Sequence, residues 1–215
     1  MEEGWAYILN EGILKVEAFV NNRTPGSAEL SIFSILNRTQ YMEVYVKAYD
    51  MCLQRAPYNW SAPLYERHET YIKGYLEGTV LPALQGKNHG YAPLLAELAK
   101  RWVNHKFMTK CLDGFFRYLN KYYAPYHNVL AIGKVGIYLF KNMVFTPLKD
   151  SIVRALHQSV RENTMSAQNL ELSMDMVKEM GEFTKPLQDL ILQFRRQVSP
   201  CPVVLSKRAR VCVCV

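Results

Sequence analysis

Five histidines and five cysteines are the side chains of this 215-residue chain best suited to acid–base, nucleophilic or metal chemistry. His68, His89, His105, His127 and His157 are scattered, and no spacing sets two of them on one helix face as metal ligands. Cys52 and Cys111 lie inside apolar helical patterns and read as reduced core residues. Cys201, Cys212 and Cys214 belong to the closing stretch CPVVLSKRARVCVCV, where a metal would lack a fourth ligand at sensible spacing. Cys212-Val213-Cys214-Val215 fits a prenylation signal literally, with Lys207, Arg208 and Arg210 upstream. Against that signal stand a Cys at the second aliphatic position and a terminal Val. No phosphate-cradling glycine loop, nucleophile elbow or zinc motif occurs. Glu66, Glu69 and Glu77 fall as a solvated helix face. The chain reads as a non-enzyme without cofactor or metal.

Binding is the chemistry that remains, and the stretch YMEVYVKAYDMCL, 41–53, is the one most suited to it. Wound as a helix, it gathers Glu43, Lys47, Asp50 and then Gln54 into one narrow stripe. The rest of its circumference is apolar or aromatic, far more than the roughly 100° face that covering a core requires. Such a helix is either buried on nearly all sides or offers its surplus face to a partner. Buried tyrosines would each need a polar partner for the hydroxyl, which weighs slightly toward a partner.

The elements that must position this helix follow from periodicity. Trp5, Ile8, Leu9, Ile13, Val16 and Val20 mark a first helix, stopped by Asn21 to Gly26; 27–36 is partly helical. The second helix runs from Asn37 to Gln54. A third carries Leu64, Tyr71, Tyr75, Leu76 and Val80, with a short stretch after Pro82. A fourth begins near Pro93 with Leu94, Leu95, Leu98 and Trp102. A fifth runs from Phe107 to Tyr123 and ends at Pro125. Its apolar half-wheel is also what any core helix shows. Ile132 to Arg161, kinked at Pro147, and Ala167 to Val198, weak at Pro186, complete the set. No segment alternates with period two, so the fold is all-α: antiparallel helices joined by short loops.

Composition agrees with a folded, helical binding protein. Hydrophobic residues make up 49% and charged residues 21%, which argues against wholesale disorder. The net charge is +7, and Lys207, Arg208 and Arg210 supply three of these charges, leaving +4 on 1–198. That is too modest to argue for nucleic acid. Lys106, Lys110, Arg117 and Lys121 do form a basic stripe, interrupted by Asp113. With the tail it supports an alternative reading, a basic helical protein on nucleic acid or an anionic membrane. No secretory signal and no run of about 18 apolar residues is present. The compartment expected is cytoplasm or nucleus.

The pieces RTQYMEVYVKAYDMCLQ, PLYERHETYIKGYLEGTVLPAL, LLAELAKRWVNHKFMTKCLDGFFRYLNKYYA and VGIYLFKNMVFTPLKDSIVRAL, in this order, resemble the N-terminal region of the cullins. Most similar is the cullin of SCF-type ubiquitin ligases, over about Met1 to Phe194. The resemblance implies an elongated stalk of helical-bundle repeats. The first bundle would span 1–125, part of a second 126–198, and a non-cullin, disordered tail 199–215. It implies that the second and fifth helices bind a Skp-type adaptor, which carries an F-box protein. Carried onto this chain, the adaptor-binding positions are Tyr41, Met42, Val44, Tyr45, Ala48 and Tyr49, with Leu112, Phe115, Phe116, Tyr118 and Asn120. The resemblance does not extend to the region that in cullins holds the RING subunit and accepts a ubiquitin-like modifier, and no RING subunit is expected as partner. The expectation is a scaffold fragment that binds an adaptor without a RING subunit: a competitor of a full-length scaffold, or an inert gene product. Neither nucleic acid nor a membrane is expected as partner.

Overall fold

Proline sets where the helices of this chain begin and where they change pitch. Pro63 and Pro93 occupy first turns, where a missing N–H costs nothing. Pro82, Pro125 and Pro147 sit inside helices, and each follows a π-helical turn by two residues: Leu76–Val80, Leu119–Tyr123 and Lys141–Phe145. A proline ring would strike the carbonyl four residues back, and the wider i→i+5 turn moves that carbonyl aside. The breaks foreseen at Pro82 and Pro125 and the kink at Pro147 are therefore absorbed as turns of different pitch within continuing helices.

The computed structural model describes residues 1–23, 31–55, 57–86, 90–162, 166–181 and 189, and among these no strand occurs. Helix α1 (2–22) comprises Glu2–Ile8, a π turn Leu9–Ile13 and Leu14–Asn22. A 3-10 turn, Ile32–Ser34, leads to α2, Arg38–Leu53. Asn37 caps α2 reciprocally with Gln40: the Gln40 N–H donates to Asn37 Oδ1 (2.9 Å), and the Asn37 N–H donates to Gln40 Oε1 (3.0 Å). Helix α3 (61–85) joins Ser61–Tyr75 through its π turn to Leu81–Gln85. Helix α4 is Tyr91–Phe115, and after a bend at Phe116 the chain resumes as α5 (117–126). Helix α6 (132–162) and helix α7, Ala167–Glu179, follow.

Two expectations need correcting. The fourth and fifth helices foreseen near Pro93 and at Phe107 are one uninterrupted α4 up to Phe115. Asn104 and His105, polar letters between the two expected helices, are buried and used internally. Asn104 Nδ2 donates to the Val20 carbonyl (2.7 Å), and His105 Nε2 lies 2.8 Å from the Gly136 carbonyl oxygen. Helix α7 does not run unbroken to Val198. Gly181 takes a left-handed φ of 72° and stops it with its N–H on the Lys178 carbonyl. Pro186 and the tail 199–215 lie outside the described residues.

Helix α4 is the axis of the molecule. One side of it, with α1, α2 and α3, encloses Ile8, Ile13, Val44, Leu112, Phe115 and Phe116; another receives α6 and α7 against Trp102, Met108 and Phe140. The core runs without interruption across residue 125. Each fully buried side chain of this size contributes roughly 1.5–3 kcal/mol. Helix α6 crosses α4 so closely that a Cβ on Gly136 would lie 2.1 Å from Thr109 Cγ2, so any larger residue there must displace Thr109.

Candidate partner-docking surface

Helix α2 divides its circumference three ways. Val44, Ala48, Met51 and Cys52 are buried against the core. Its charged stripe faces α1, where the Tyr7 hydroxyl donates to Glu43 Oε2 (3.1 Å) and Lys47 Nζ lies 5.4 Å from the Tyr7 ring centroid. The third sector stays accessible: Tyr41, Tyr45 and Tyr49 half-buried, with Met42, Val46 and Leu53 exposed at 41–49%.

This sector continues onto α5 as a series of rings. Tyr45 stacks on Tyr49 (6.0 Å between centroids), Tyr49 meets Tyr118 edge-on (5.4 Å, 84°), and Tyr118 lies 4.7 Å from Tyr122. The π turn Leu119–Tyr123 brings residues four apart more nearly over one another than a turn of 3.6 residues does. Tyr41 begins the row, between Phe33 (5.9 Å) and Phe115 (5.7 Å). Its hydroxyl rests on bare backbone at Gly114, where a Cβ would come within 2.6 Å. Burial pushes the Tyr41 pKa up, with nearby Arg117 opposing. Beyond Tyr118 the row opens into a groove of about 340 Å³ lined by Asn59, Ser61, Ala62, Tyr122, Tyr123, Tyr126 and His127.

The eleven positions foreseen as a contact surface separate accordingly. Tyr41, Met42, Tyr45, Tyr49 and Tyr118 are accessible and adjacent. Val44, Ala48, Leu112, Phe115 and Phe116 are between 0 and 3% exposed and belong to the core. Asn120 has a structural task. Its Nδ2 donates to Asp113 Oδ1 (2.8 Å), its Oδ1 accepts from the Ile132 N–H (2.8 Å), and Asp113 Oδ1 also accepts from the Gly133 N–H (2.9 Å). The pair satisfies two free N–H groups at the start of α6. Accessible residues that sequence spacing had not singled out are Val46, Leu53, Tyr122 and Tyr126. The first two recur on α2 at helical spacing with Met42 and Tyr49, a signal present in the letters; the last two required the π turn.

The buried thiols and imidazoles are held in their uncharged forms. Burial pushes the Cys52 thiol up to about 11 and the Cys111 thiol to about 12, so neither ionises near neutral pH. Burial lowers His68 and His105 to about 4, leaving both neutral, and His68 has no hydrogen-bond partner for either nitrogen. No three His, Cys, Asp or Glu side chains gather as a metal site, and no helix is long and apolar enough to cross a membrane, among the described residues. The basic stripe is divided as well: Lys106 pairs with Glu179 (3.2 Å), and Asp113 is held by α6.

Comparison with known proteins places these features in a lineage. The family model described as the cullin alpha solenoid domain matches residues 27–195. The chain is similar to Cullin-1 of Oryza sativa subsp. japonica, 32% identical over 156 residues, covering 73% of this chain and 20% of that protein. It is similar to Putative cullin-like protein 1 of Arabidopsis thaliana, at 28% over 162 residues (74% and 21%), and to Cullin-2 of the same plant, at 27% over 195 residues (88% and 25%). The chain thus spans between a fifth and a quarter of the length of these relatives.

Proposed function

Because this chain belongs to the cullin family, we propose that it is a non-catalytic scaffold that docks a Skp-type adaptor, and through it an F-box protein, in ubiquitin-dependent protein degradation. The observation that carries this reading is the accessible ring row Tyr45–Tyr49–Tyr118–Tyr122, which joins α2 to α5. Aromatic side chains supply large contact area with few rotors to immobilise, and they dominate the energetics of protein interfaces. The rows of rings and the exposed Met42, Val46 and Leu53 form an apolar surface of the kind that marks an interaction site.

The row's α2 end is held by Tyr41 against buried Phe115, and its α5 end by Tyr118 against Tyr49, so the surface is preformed and loses little entropy on docking. The test is a pull-down of the Skp-type adaptor by the purified chain, with Tyr45→Lys as the disrupted form. Retention by the unmodified chain and loss with Tyr45→Lys is the outcome expected; equal retention by both would place the contact elsewhere.

A further inference from the structure

The docking reading leaves two exposed cations beside the tyrosine row without a task. Arg117 and Lys121 stand four apart on α5, and among the described residues neither is in an ion pair. Both are tied to the row itself. Arg117 lies near the Tyr41 hydroxyl, and Lys121 Nζ is 5.2 Å from the Tyr122 ring centroid. We infer that the partner seated on the tyrosine face is acidic along the edge that meets Arg117 and Lys121, and that these two residues steer and orient it. The inference rests on the docking reading and adds the chemistry of the partner's rim.

The nearest carboxylate of the preceding helix forms no ion pair with this edge among the described residues. Asp113, one turn before Arg117, has its Oδ1 on the Gly133 N–H and the Asn120 amide. The other flank of the row differs: Glu43 accepts from the Tyr7 hydroxyl and Lys47 stands on the same ring, so opposite charges alternate there. The charged side chains of α5 are thus both cations, whereas the other flank is mixed. A partner that covered the basic edge with apolar surface would strip water from two unpaired cations, at a large desolvation cost. Carboxylates opposite them remove that cost, accelerate encounter and reject a partner docked in the reverse sense.

The test is surface plasmon resonance of the Skp-type adaptor on the full chain, at about 50 and about 500 mM NaCl. The variants are Arg117→Glu/Lys121→Glu, the milder Arg117→Gln/Lys121→Gln, and Arg154→Glu on α6 as a charge control. Thermal unfolding verifies that all fold. For the unmodified chain the association rate should fall with salt. Charge reversal should lower it on the order of tenfold at low salt, with a smaller change in the dissociation rate. The Gln pair should fall between, and Arg154→Glu should match the unmodified chain. Binding that is unchanged in rate and salt dependence after charge reversal overturns the acidic-rim inference and leaves docking standing. No binding by the unmodified chain overturns the docking reading and this inference with it.

Discussion

Replacing Gly136 tests the packing that fixes α6, and with it the first turn held by Asp113 and Asn120. An Ala Cβ there would lie 2.1 Å from Thr109 Cγ2 and 3.1 Å from Thr109 Cβ, with His105 Nε2 at an unstrained 3.6 Å. Relieving such an overlap costs about 1–3 kcal/mol. Ala is also the better helix former, by about 0.8–1.0 kcal/mol, so the net cost of Gly136→Ala is roughly 0–2 kcal/mol. The offending atom can be removed by itself. Thr109→Ser deletes Cγ2 and keeps the hydroxyl, which donates to the Lys106 carbonyl (3.0 Å). In that background the worst overlap is gone, and Gly136→Ala should become neutral or stabilising. Gly74 provides the control: it lies in α3 with nothing within 4 Å of a Cβ, so Gly74→Ala should stabilise by about 0.5–1 kcal/mol through propensity alone. Urea denaturation of the four members of the Thr109/Gly136 cycle measures the coupling, which should be at least about 1 kcal/mol in favour of the double variant. Additive effects would refute the close crossing of α6 over α4.

Other perturbations follow from the same geometry. Asp113→Ala frees the Gly133 N–H and the Asn120 amide and should cost about 1–2 kcal/mol in chemical denaturation. Stability should decline as pH falls from the ordinary histidine value of 6.5 through about 4, because the unfolded chain takes up protons that buried His68 and His105 refuse. Each histidine contributes up to about 3 kcal/mol to that slope, and His68→Leu should flatten it without loss at neutral pH; an unchanged pH profile would place the acid sensitivity elsewhere. Alkylation with iodoacetamide, read by peptide mass spectrometry, should leave Cys52 and Cys111 unmodified until the protein unfolds, since both thiols are buried and protonated.

Most of the helices and the charged stripe of α2 were legible, because periodicity acts locally. The continuity of α4 was not legible. Asn104 and His105 are polar letters, and only the Val20 and Gly136 carbonyls, distant in sequence, make them interior residues. Asn120 was assigned outward for the same reason, since its partners Asp113 and Ile132 come together only when α6 docks. A family pattern names positions without their burial: Val44, Ala48, Leu112, Phe115 and Phe116 lie in the core. Tyr122 and Tyr126 escaped attention because an α-helical wheel rotates Tyr126 away from Tyr118, and the π turn associated with Pro125 alters that register.

Whether a Skp-type adaptor covers the tyrosine row is tested residue by residue by hydroxyl-radical footprinting of the chain with and without adaptor. Met42, Tyr45, Tyr49, Tyr118 and Tyr122 should lose oxidation when the adaptor is bound. Tyr91 and Tyr138, 50 and 56% exposed at the start of α4 and on α6, should keep theirs. Protection of Tyr138 with the α2 and α5 residues still oxidised would contradict the account.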